Sequence, residues 1–136
     1  MNRAKKQRTV LVAGFSVVSW LGMMVHNAIE LPNLPFTSPE VALPSLAYVV
    51  FFAAWRVLPY RRVTGSLLFI WGMLHLVIGG IITVIPFPFL PFTPEQSVHH
   101  YLAHVVYSVT QFPLVWMMYQ NLRTYRTLPE RRLTQQ

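Results

Sequence analysis

The residues of this chain best suited to hold or exchange a ligand are its histidines, and they are not scattered. His100 and His104 stand at i and i+4, a spacing that puts two imidazoles on one helix face and lets both take one metal ion. His26 and Glu30 repeat the spacing with a carboxylate in the second place. The set His26, Glu30, His100 and His104 would suit zinc, copper or non-haem iron, with Met23, Met24 and Met73 as soft neighbours for copper. His99 is turned about 100° from His100 on an ideal helix and is expected to stand outside such a site.

The same histidines belong to a longer pattern. His100, His104, Tyr107, Ser108 and Gln111 fall at i, i+4, i+7, i+8 and i+11, one polar stripe on an otherwise apolar helix over residues 98–122. An unsatisfied polar group in hydrocarbon costs several kcal/mol, so the stripe is expected to face protein or a water-filled cavity. Two organic cofactors would also suit these residues. Haem b is held in four-helix membrane bundles between histidines on facing helices, and His75 with His104 is the natural pair. Their expected depths differ by roughly 6 to 8 Å, so that pair would need tilted helices. A quinone or other lipid-soluble ligand would find hydrogen-bonding groups in His104, Tyr107 and Gln111. The cofactor-binding candidates are therefore His75, His104, Tyr107 and Gln111. A stripe of this reach would also serve an ion or proton path, which in a chain this small calls for a dimer.

The run HHYLAH, residues 99–104, is similar to a single histidine box of the membrane di-iron desaturases and hydroxylases. Those enzymes spread more histidines over several boxes on the cytoplasmic side, whereas this chain has 5, and the run is expected on the outer side. The resemblance ends with HHYLAH.

What positions these side chains is a set of apolar helices. At 54% hydrophobic and 11% charged, the chain lies far from the composition of a soluble domain. Four apolar stretches, 9–29, 41–58, 64–85 and 98–122, approach or exceed the roughly 20 residues that a spanning helix needs. None has the period-two alternation of a barrel strand. The expected fold is an all-α membrane protein, a single domain folded as a bundle of four transmembrane helices.

Its orientation follows from charge. Arg3, Lys5, Lys6 and Arg8 precede the first span, Arg56, Arg61 and Arg62 lie at the second connection, and Arg123, Arg126, Arg131 and Arg132 follow the fourth span. These are all 11 basic residues, and the other two connections have none. The positive-inside rule then puts both termini in the cytoplasm of a multi-pass cell-membrane protein, with residues 30–40 and 86–97 outside. His100, His26 and His104 would lie roughly 3, 6 and 9 Å below the outer boundary, close enough to meet. The same charge distribution argues against nucleic acid, which would need a basic patch on one soluble face.

Two further patterns concern packing. Gly65, Gly72 and Gly79 recur every seven residues, which makes a groove along one helix face, and His75 shares that face. Ser19, Gly22 and His26 mark the inward face of the first helix in the same way. The tetrapeptide LPFT occurs at 34–37 and again at 90–93, and the same offset sets LAYVVF (46–51) against LAHVVY (102–107). This reads as an internal duplication of a two-helix hairpin. Pro44 is expected in the first turn of the second helix, and residues 123–136 form a cytoplasmic tail, frayed or resting on anionic headgroups.

Several chemistries are ruled out. Without cysteine there is no disulfide, thiol nucleophile or iron–sulfur cluster. No phosphate loop, GxSxG elbow or HExxH motif is present, and the 4 acidic residues do not pair. The functional expectation is a non-catalytic binding module or accessory subunit. Its partners would be the lipid bilayer, itself or other membrane subunits. The alternative is a metal- or haem-binding redox protein built on the outer histidines, and a dimeric transporter ranks below both.

Overall fold

The computed structural model describes residues 3–133, with side chains described throughout except at Lys5 and from 126 onward. It is all-helical: α1 Arg3–Glu30, α2 Pro39–Val57, α3 Arg61–Met73 and α4 Val98–Leu133, with no strand among the described residues. Between α3 and α4 the chain continues as a π-helical segment, Leu74–Gly79, and a single 3₁₀ turn, Ile82–Val84.

The boundaries have local causes. α1 stops at Glu30 because Pro32 and Pro35 follow and cannot continue a helix. α2 opens on Ser38 in an extended conformation with Pro39 at its first position, and it closes at Leu58, held extended by Pro59. Because α2 begins at Pro39, Pro44 stands in its second turn and not its first, and the helix runs on through the missing hydrogen bond. α4 opens on Ser97, whose hydroxyl accepts the His100 N–H at 3.2 Å, a regular N-cap. It also runs through Pro113. Ser19 of α1 donates its hydroxyl to the Thr110 carbonyl at 3.1 Å, close to the proline, where the helical ladder is weakest. Instead of fraying after residue 122, α4 stays helical to Leu133; residues 134–136 of the expected tail lie outside the described residues.

The four helices form a ring in which each packs against its chain neighbour and α1 closes onto α4. Glycine sets the close approaches. A Cβ at Gly22 would lie 1.8 Å from Thr110 Oγ1, so α1 and α4 meet where only hydrogen fits. The seven-residue glycine series also faces α4: added carbons would meet Met118 at Gly65, Val115 at Gly72 and Tyr107 at Gly79, at 3.3, 3.0 and 3.0 Å.

The interior is divided along the bundle axis. Towards the basic end the core is mainly apolar, with Val12, Trp55, Leu68, Leu114 and Met118 buried alongside the polar Ser16, Thr64 and Asn121. Towards the other end it is polar, with Ser19, His100, His104 and Gln111 buried beside Tyr48 and Tyr107. The exterior is the reverse of a soluble protein. Val17, Leu21 and Val25 on α1, Leu46 and Val49 on α2, Leu67 and Ile70 on α3, and Val105, Val109 and Trp116 on α4 are all exposed. Three helical stretches, 6–30, 39–57 and 61–84, are long and apolar enough to cross a membrane. α4 is not among them, because its mean hydropathy is lowered by the polar stripe it turns inward.

Candidate functional site

The polar half of the core holds two layers. The inner layer is closed. Gln111, fully buried, accepts the Tyr48 hydroxyl on Oε1 at 2.7 Å and donates Nε2 to the Ser19 carbonyl at 2.8 Å, which ties α1, α2 and α4 together. Both of its amide atoms are thereby committed to protein. Next to it, His75 Nδ1 and the Tyr107 hydroxyl are hydrogen-bonded, and the His75 ring packs against Trp71 and Tyr48 at centroid distances of 4.7 and 5.3 Å.

The outer layer contains the four residues expected to share a metal, and the fold brings them together. His26 Nε2 and His104 Nε2 are 3.2 Å apart, with the rings edge to face. His100 lies one turn above His104 with ring centroids 4.4 Å apart. Its Nδ1 is 2.6 Å from Glu30 Oε2, an α1–α4 contact. Tyr107 stacks on the other side of His26 at 4.8 Å and links this layer to the inner one. His99 is exposed, as its rotation away from His100 predicts.

Each Nδ1 in the outer layer is turned towards an acceptor. That of His100 donates to the Glu30 carboxylate, and that of His104 to the Gly79 carbonyl at 3.0 Å. That of His26 is 3.4 Å from Asn27 Oδ1. A carbonyl oxygen only accepts, so His104 carries its hydrogen on Nδ1 and, when neutral, presents a lone pair on Nε2. Two buried atoms of this layer have no protein partner, His100 Nε2 and Glu30 Oε1. Among the described residues no three His, Asp or Glu side chains already surround one point as ligands. The arrangement is two contacts, His26 with His104 and His100 with Glu30, lying side by side.

The haem pair fares differently. His75 and His104 do not face one another: His75 turns Nδ1 to Tyr107, and His104 turns Nε2 to His26.

Around the outer layer lies a pocket of about 830 Å³, walled by His26, Asn27, Glu30, His100 and His104 on one side. Pro44, Trp71, His75 and Ile78 wall the other, and Phe92–Glu95 of the last connection form its rim. Its size is that of a small-molecule site.

Two elements of the site could not be read from side-chain spacing. The Gly79 carbonyl is backbone, and it reaches His104 from the end of a π-helical segment, a geometry frequent at functional sites. The signal that marks it is the Gly79–Gly80 pair followed closely by Pro86, which together loosen the helix end. Asn27 is the second: its spacing marks no site, although its Oδ1 lies 3.4 Å from His26 Nδ1. No family model matches the chain, and no curated protein or solved structure matches it either, so the site is read from its own geometry.

Proposed function

We propose that this chain is an integral membrane protein that acts as a non-catalytic binding module, with the outer pocket as its receptor site. One observation carries the reading. In a chain with so apolar an exterior, His100 Nε2 and Glu30 Oε1 are buried at the pocket wall without a protein partner. Leaving such groups unpaired costs about 1–3 kcal/mol each, more when charged, and a bound species repays that cost. Trp71 Nε1 at the same pocket wall is also buried without a partner, as are Ser16 Oγ, Ser38 Oγ and Trp55 Nε1 away from it, but these are neutral groups, whereas His100 and Glu30 form the ionisable pair.

The membrane setting of this proposal has all four helices crossing. α4 presents Leu102, Val105, Val109, Phe112 and Trp116 outward, an apolar stripe of about 21 Å at 1.5 Å per residue. The chain then enters and leaves on the cytoplasmic side, its two hairpins arise by duplication, and the pocket faces outward. Lipid surrounds the bundle, and second copies or other subunits are its protein partners.

The absence of cysteine makes the test direct. In intact cells Asn27→Cys at the pocket wall should react with a membrane-impermeant thiol reagent, while Met118→Cys in the apolar half should react only after denaturation. A folded Asn27→Cys protein that stays unlabelled would mean that the pocket is closed to the outside and would remove the receptor reading.

A further inference from the structure

Resting on that reading of the pocket, we infer that its ligand is a divalent late transition-metal ion, zinc or copper, held by the Nε2 atoms of His26, His104 and His100. The two lone-pair atoms closest to one another set the geometry. For a tetrahedral ion with metal–nitrogen distances of about 2.0–2.1 Å, neighbouring ligand nitrogens lie roughly 3.3 Å apart, and His26 Nε2 and His104 Nε2 are 3.2 Å apart. The contact is a hydrogen bond only if His26 Nε2 carries the hydrogen, since His104 donates through Nδ1. Moving that hydrogen to His26 Nδ1, which already faces Asn27 Oδ1, frees both lone pairs for one ion without any change of backbone.

The outer partners are those of a histidine metal site. Ligating imidazoles donate their other N–H to a carboxylate or a backbone carbonyl, which fixes the tautomer and raises ligand basicity. His100 donates to Glu30, His104 to the Gly79 carbonyl, and His26 faces the Asn27 amide. Glu30 is therefore assigned to orient His100, and not to bind the ion as the sequence spacing suggests. His100 Nε2 is the third ligand: it is buried, unpartnered, and one turn above His104. It completes the set by turning towards the pair, since three ligands do not yet surround one point. The fourth position opens on the pocket. Nitrogen ligands select zinc, copper or their neighbours over magnesium or calcium, which take oxygen.

The test uses the full chain, purified in detergent with a tag that contains no histidine, stripped with chelator and titrated separately with Zn²⁺ and Cu²⁺. One ion per chain is expected for at least one of them. Glu30→Gln should weaken binding about 10- to 100-fold, the usual effect of losing an outer carboxylate. His26→Ala and His104→Ala should weaken it further, and His99→Ala should leave it unchanged. Circular dichroism and a thermal melt identify variants that have not folded, and a folded His26→Gln protein serves where His26→Ala fails. Full-strength binding by folded His26 or His104 variants, or loss on His99→Ala, overturns the assignment. So does the absence of stoichiometric Zn²⁺ and Cu²⁺ binding by the parent chain. In those cases labelling at Asn27→Cys still reports whether the pocket is open, so the failure of the metal and the failure of the receptor site are separately visible.

Discussion

Tyr48 and Gln111 show how much of this bundle rests on single polar contacts. The Tyr48 hydroxyl is the partner of Gln111 Oε1, in a place where water does not compete. Tyr48→Phe removes that donor while keeping the ring between Trp71 and His75, so the loss is confined to one buried acceptor. Thermal unfolding in detergent should show a destabilisation of about 1–3 kcal/mol. Ser66→Ala, at an exposed hydroxyl bonded only to its own helix, should change little. At this scale the sequence was informative where helical spacing and depth together placed side chains, and His26, Glu30, His100 and His104 do converge. It could not tell which atoms of each ring are held, because those partners include a backbone carbonyl and a neighbouring amide. The difference matters for Glu30, whose Oε2 accepts the His100 Nδ1–H.

Among the elements, α1 and α2 follow from apolar length and proline placement, whereas α4 runs on through Pro113 to Leu133 and α3 gives way to a π-helical segment. Periodicity assumes 3.6 residues per turn, and the π-helical segment at Leu74–Gly79 breaks that count where His75 must be aimed. The glycines next to it were legible as a packing seam because their spacing is regular, although which helix they receive was not. That helix is α4. Gly14 and Gly72 make the contrast testable. A Cβ at Gly14 meets nothing within 4 Å, so Gly14→Ala should stabilise by up to about 1 kcal/mol through helix propensity. A Cβ at Gly72 already lies 3.0 Å from Val115, so Gly72→Leu should overpack the α3–α4 seam and cost about 1–3 kcal/mol or more. Chemical or thermal unfolding of the two variants side by side separates propensity from packing; similar losses at both sites would deny the seam a role.

For the molecule as a whole, charge and polarity divide the bundle into two ends. Arg61 lies over the Trp55 ring and Arg123 over Tyr119, each 5.7 Å from the ring centre, which gathers aromatic and basic anchors at the end opposite the histidines. Such anchors belong at the headgroups of the cytoplasmic leaflet, where Lys and Arg are retained. If the N-terminus of α1 is inside, the connection from residue 31 to 38 is outside, that from 58 to 60 is inside, and that from 85 to 97 is outside with the rim of the pocket. Reporters fused at residues 35 and 92 should therefore be active on the outer side, and reporters at the N-terminus, residue 62 and the C-terminus on the inner side. The C-terminal reporter is the most informative, because α4 is the one long helix whose hydropathy alone does not mark it as a span. An inside signal at the C-terminus together with an outside signal at residue 92 requires α4 to cross, carrying its polar stripe through the bilayer inside the ring of helices. An outside signal at both would leave α4 uncrossed, and would place His100 and His104 at the surface of the membrane instead of within it.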